Sequence, residues 1–99
     1  MEKIFHQYPA GAPAARRALA GVVGSGDLEV LLEPNVNGMT TISISTSVNG
    51  KGPVWGALLN RIFTTGLLPA VRIDINDCGA TPGVVRMRIE QALDEARNP

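Results

Sequence analysis

A two-layer α+β sandwich, a small and mainly antiparallel sheet with two helices packed on one face, is the fold class this sequence predicts. Three observations lead there. Three segments alternate apolar and polar residues with period two, two others repeat apolar residues at helical spacing, and glycine and proline punctuate the boundaries between them. With one further strand ahead of these the order reads β-β-β-α-β-α. The 99 residues, 44% hydrophobic, are expected to form a single domain, 1–99, with a core that needs neither disulfide nor metal.

Residues 1–13 are read as an N-terminal arm or an edge strand, because PAGAP from Pro9 to Pro13 isolates the first eight residues from any helix. RALAGVV, Arg17 to Val23, reads as a strand, and the glycine-flanked GSG after it is the kind of link that closes a hairpin. The next strand puts Leu28, Val30 and Leu32 on one face and Asp27, Glu29 and Glu33 on the other, and ends at Pro34. NVNG, Asn35 to Gly38, signals a turn, after which Ile42, Ile44 and Val48 oppose Thr41, Ser43, Ser45 and Ser47.

Pro53 suits the first turn of a helix, where its missing N–H costs nothing. Trp55, Leu58, Leu59, Ile62 and Phe63 make that helix's apolar stripe, and Gly66 is its expected stop. PAVRIDIND alternates again, with Val71, Ile73 and Ile75 inward and Arg72, Asp74 and Asn76 outward. Thr81 as N-cap and Pro82 at the first helical position open a last helix whose stripe is Val85, Ile89, Ala92, Leu93 and Ala96.

Nine Lys and Arg balance nine Asp and Glu without a block of either sign, which argues against a nucleic-acid binder. Cys78 is the sole cysteine, so an internal disulfide and a cysteine-rich zinc site are excluded and a reducing, cytoplasmic setting is expected. No apolar run approaches the ~20 residues of a spanning helix, so no membrane insertion is expected.

The inventory for catalysis is thin, and no catalytic residue and no metal site are assigned. His6, the only histidine, lies in the arm, so a Ser-His-Asp or Cys-His arrangement would have to recruit that one mobile ring. Cys78 stands beside Asp77, whose charge opposes thiolate formation. Asp27 and Glu29 sit on a solvent-facing strand side with no pocket implied, and GSG links strands instead of opening a helix as a dinucleotide fingerprint would. Arg16 and Arg17 read as a solvated pair with a minor option on a phosphate. Ser25 differs, because Gly24 and Gly26 remove side-chain bulk on both sides and let its hydroxyl project from the apex into another protein's active site.

VVGSGDLEVLLEP, TSVNG and DINDCGATPGVVRMRIEQAL, in this order and over most of the chain, resemble the acyl carrier (delta) subunit of bacterial malonate decarboxylase. The resemblance implies that Ser25 bears 2'-(5''-phosphoribosyl)-3'-dephospho-coenzyme A through a phosphodiester, with Gly24, Gly26 and Asp27 as the supporting loop. It implies a non-catalytic carrier holding acetyl and malonyl groups as thioesters while malonate is decarboxylated to acetate and carbon dioxide. The implied partners are the acyl-transferase subunit, the decarboxylase subunits, the holo-carrier synthase (a phosphoribosyl-dephospho-CoA transferase) and a malonyl-group loading enzyme. The chain departs from fatty-acid acyl carriers, with Ser-Gly-Asp-Leu in place of Asp-Ser-Leu and strands in place of a four-helix bundle.

Two expectations follow from that resemblance. Partners would dock on the polar faces around Asp27, Glu29 and Ser43 to Ser47, and the N–H groups of Gly24 and Gly26, with the helix start at Pro82, would steady the linking phosphate. Two other readings stay open: the acyl carrier subunit of citrate lyase, and an unmodified α+β protein-binding module whose GSG is only a turn.

Overall fold

A computed structural model describes residues 1–97; the last two residues of the expected 1–99 domain lie outside the described residues. Five strands form one sheet in the order β1-β4-β5-β3-β2. Three of the four strand pairs are antiparallel and one, β4 with β5, is parallel.

The N-terminal arm is an edge strand. β1 (Glu2–Pro9) pairs antiparallel with β4 (Met39–Thr46), setting Ile4 opposite Ile44 and Tyr8 opposite Thr40. The element order is therefore β-β-β-β-α-β-α. PAGAP is also tied down, since Gly11 N–H donates to Leu68 O at 2.8 Å and Ala70 N–H to Ala12 O at 2.8 Å.

β2 (Ala18–Gly21) is shorter than the expected strand, because Gly21 turns to φ +79° and leaves Val22 and Val23 exposed at 63% and 61%. β2 pairs with β3 (Leu28–Pro34), and β3 with β5 (Val71–Asp77). β4 and β5 run parallel because the chain between them returns through α1 (Gly52–Phe63), a β-α-β unit. α2 (Pro82–Arg97) lies across β2 and β3, and α1 leans toward β1.

Both helical stripes meet the predicted inward rows. Leu28, Val30, Leu32, Ile42, Ile44, Val71, Ile73 and Ile75 are buried against Trp55, Leu59, Ile62 and Phe63 of α1 and Val85, Ile89, Ala92, Leu93 and Ala96 of α2. Tyr8 joins this core, its ring stacked on Phe63 at 5.4 Å and its hydroxyl donating to Asn60 Oδ1 at 2.7 Å. Burial pushes the Tyr8 phenol above its ordinary pKa. The opposite sheet face is open, with Phe5 and Leu19 exposed at its two edges.

Three local expectations are corrected. β4 ends at Thr46, which occupies the inward phase after Ile42 and Ile44, so Val48 falls in the following turn. α1 begins at Gly52, which makes Pro53 its second residue, and stops at Phe63, where the Thr64 N–H donates to Asn60 O at 3.0 Å; Gly66 lies beyond the helix. Asp27 precedes β3 instead of belonging to it. Thr81 does cap α2, its hydroxyl accepting from Val84 N–H at 3.3 Å. Among the described residues no helix is long and apolar enough to cross a membrane.

Candidate functional site

Gly24 to Asp27 form a tight turn closed by Asp27 N–H donating to Gly24 O at 3.0 Å. Gly26 has φ +76° while Ser25 does not have positive φ, the pattern of a type II turn, whose third residue favours glycine. Ser25 is exposed at the tip, and among the described residues its hydroxyl forms no hydrogen bond. Gly26→Ala meets no atom within 4 Å, so the substitution is expected to cost only backbone strain, about 1 kcal/mol, read as a lowered denaturant midpoint at constant m.

The turn stands on the segment between β5 and α2. Gly26 N–H donates to Cys78 O at 2.8 Å, and Cys78 N–H donates to Asp27 O at 3.0 Å, extending the β3–β5 ladder past its last strand pair. The Cys78 segment is held by Asp77, which is buried. Its Oδ2 accepts from Thr46 Oγ1 at 2.8 Å and Gly79 N–H at 3.3 Å, and its Oδ1 from Ala80 N–H at 3.0 Å.

A second anchor comes from α2. Arg88 grips Asp27 side-on, Nε to Oδ1 at 3.2 Å and Nη2 to Oδ2 at 2.9 Å, while Leu28 N–H donates to Oδ1 at 2.7 Å. These bonds, the Arg88 one foremost, hold the Asp27 carboxyl below the usual carboxylate range. A depressed native pKa adds stability that is complete above the unfolded value, near ~4, and fades as pH falls through the native one. The stability gap between the parent and Asp27→Asn should therefore be constant near neutrality and close in acid. Denaturant midpoints at neutral and acid pH measure it, and a gap that survives acidification would show that Arg88 reads shape and not charge.

The expected supporting residues, Gly24, Gly26 and Asp27, thus come together around Ser25, with two changes of role. The Gly26 N–H is engaged by Cys78 and is not free for a phosphate; Gly24 and Ser25 keep N–H groups with no partner among the described residues. Asp27 faces Arg88 and does not share an open docking face with Glu29, which instead accepts from Asn76 Nδ2 at 3.1 Å. The bonds of Gly26 and Asp27 to Cys78 set the turn against a residue four positions before Pro82, at the approach to α2.

Other candidates disperse. His6 lies on β1, the sheet edge opposite the hairpin that carries Ser25, with β4 and β5 between, and its ring stacks over Tyr8 at 6.3 Å. Arg16 and Arg17 face Glu95 at 3.8 Å and Glu33 at 3.6 Å, at the far end of β2 from the turn. Among the described residues no three metal-ligating side chains cluster. Thr46, Asp77 and Arg88 are the site residues that sequence reasoning missed. Continuing the alternation of Ile42 and Ile44 to Thr46, and of Ile73 and Ile75 to Asp77, is the signal that finds the first two.

Comparison with known proteins places this architecture. Residues 15–96 match the family model of the malonate decarboxylase delta subunit (MdcD). The malonate decarboxylase acyl carrier protein of Pseudomonas aeruginosa is 60% identical over 96 residues, 97% of each chain, and that of Azotobacter vinelandii is 54% identical over 98 residues, 99% of each. A chain in the crystal structure of a Pseudomonas malonate decarboxylase hetero-tetramer in complex with malonate superposes with a TM-score of 0.94 at 53% identity, over 97% of this chain and 99% of that one. An exposed serine on a doubly anchored turn, in a fold and sequence shared across nearly the full length, leads to one assignment: the chain belongs to the malonate decarboxylase delta subunit family.

Proposed function

We propose that this chain is the acyl carrier subunit of a malonate decarboxylase and that Ser25 bears its prosthetic arm, 2'-(5''-phosphoribosyl)-3'-dephospho-coenzyme A. The observation that carries the reading is the exposed Ser25 hydroxyl, without a partner among the described residues, on a turn whose base is fixed from β5 and from α2. When bound, the group supplies a thiol that holds acetyl or malonyl as a thioester, whose carbonyl can take up the electron pair released as carbon dioxide leaves.

The residues present fit that group. Ser25 offers the oxygen for a phosphodiester, and the flanking N–H groups of Gly24 and Ser25 have no other partner among the described residues with which a phosphate oxygen would compete. Arg88 takes up the negative charge of Asp27, which would otherwise stand beside the phosphate. The turn supplies position: the Asp27 carboxylate, two residues on from Ser25, is bound to Arg88, and His6 is on the opposite sheet edge.

Tethering makes transfer between active sites nearly intramolecular, at an effective concentration in the millimolar range. The acyl-transferase and decarboxylase subunits, the holo-carrier synthase and the malonyl-group loading enzyme are the partners of this reading. Exposed Val22 and Val23, beside Ser25, and the open sheet face with Glu29, Ser43 and Ser45 are the surface offered to them. The free Cys78 thiol suits a cytoplasmic setting.

Reconstitution tests the function. Partner subunits lacking a carrier should release carbon dioxide from malonate when the modified chain is added, and none above background with the unmodified chain. Equal rates with both forms would contradict the carrier role.

A further inference from the structure

α1 and α2 make few contacts with each other, and a groove runs between them. Its inner chamber, about 310 Å³, lies where the parallel strands β4 and β5 end, with Trp55, Leu58 and Val85 on its walls and Lys51 at its rim. Gly79 and Ala80 line the same chamber, and they directly follow Cys78, the residue on which the Ser25 turn rests. The groove therefore begins beside the proposed attachment point.

Through Val54, Leu58 and Pro82 the chamber continues into a more open section of about 530 Å³. Arg61 and Arg86 line that section, and among the described residues no carboxylate does. Arg61 forms no ion pair among the described residues, and Arg86 only a 3.6 Å contact with exposed Glu90. Asp77, the one acid lining the inner chamber among the described residues, has both oxygens committed to Thr46, Gly79 and Ala80.

An apolar chamber opening onto two under-used guanidinium groups is complementary to a ligand that joins apolar or flat segments to phosphates. We propose that this groove is the resting berth of the carrier's own arm, with Arg61 and Arg86 receiving its diphosphate and the chamber one of its apolar segments. The inference rests on the carrier reading above. Because the arm is tethered next to the groove mouth, an intrinsic affinity of only about 1 mM would fill the berth half the time. Docking on a partner then competes with the berth.

The test compares amide and phosphorus NMR spectra of modified and unmodified chain, with intact mass recorded on each sample. Expected are amide shifts at Lys51, Ala57, Leu58, Arg61 and Arg86 on modification, and their loss in the double variant Arg61→Glu, Arg86→Glu, together with a moved diphosphate resonance. Both arginines are exposed, so the fold should survive the reversal. Ala57→Trp, an exposed lining position, should displace the arm without altering charge. A chain with the arm on Ser25 whose shifts stop at residues 22 to 27, or whose groove shifts ignore both variants, overturns the berth alone. A chain that never gains the arm overturns the carrier reading and the berth with it.

Discussion

Gly21→Ala is expected to destabilise the fold by about 3 kcal/mol or more, a large part of the roughly 5–15 kcal/mol that holds a small domain together. Two effects coincide at this position. Gly21 has φ +79°, a conformation that disfavours a Cβ, and the Cβ would stand 2.0 Å from Leu28 O, a backbone atom held in the β3 ladder. It would also lie 3.2 Å from the Arg88 side chain, which grips Asp27. The hairpin must therefore open, or Arg88 must leave, and in either case the Ser25 turn loses its seat. Chemical denaturation of Gly21→Ala beside Gly26→Ala separates steric from conformational cost, since Gly26 has open space around it. Equal losses in the two variants would mean that the close approach of Leu28 O does not exist.

Asp77→Ala comes next, at about 2–4 kcal/mol. The carboxylate receives three donors, and the Thr46 hydroxyl among them is buried, so truncation leaves polar groups that water reaches poorly. Asp77→Asn keeps one accepting oxygen and should lose less. Because Asp77 orders the segment that supports Gly26, hydrogen exchange at Gly79, Ala80 and Gly26 should quicken more than the global loss of stability requires. Uniform quickening across the sheet would place Asp77 in general stability and remove it from the pedestal.

Short-range periodicity made much of this fold legible. The inward rows of β3 and β5 and both helical stripes were readable because each is a local consequence of burying one face, and the Thr81 cap followed from its place before Pro82. What escaped depends on distant partners. β1 alternates Ile4, His6 and Tyr8, a row too polar to announce burial until β4 and Phe63 cover it. Val22 and Val23 look like strand residues, yet Gly21 ends β2 before them. Thr46 and Asp77 were passed over because their polarity contradicts the phase they occupy, and that contradiction is resolved only by their mutual hydrogen bond across the sheet. Arg88 meets Asp27 across 61 residues, a separation no spacing rule reaches.

Ser25 was visible as an accessible hydroxyl because two glycines flank it, but physics alone leaves such a serine an ordinary turn. The longer wording of the chain suggested a carrier, and the shared fold and family match now support it. The structure contributes the pedestal: the turn is anchored to Cys78 and to Arg88 and is not a loose loop tip.

The central claim is that the Ser25 oxygen carries the arm, and intact mass reads it most directly. The chain purified from its own cells growing on malonate, beside a Ser25→Ala version, should gain the mass of one phosphoribosyl-dephospho-coenzyme A less one water in the parent and nothing in the variant. A parent of bare-chain mass, or a variant that still gains the group, would contradict the claim.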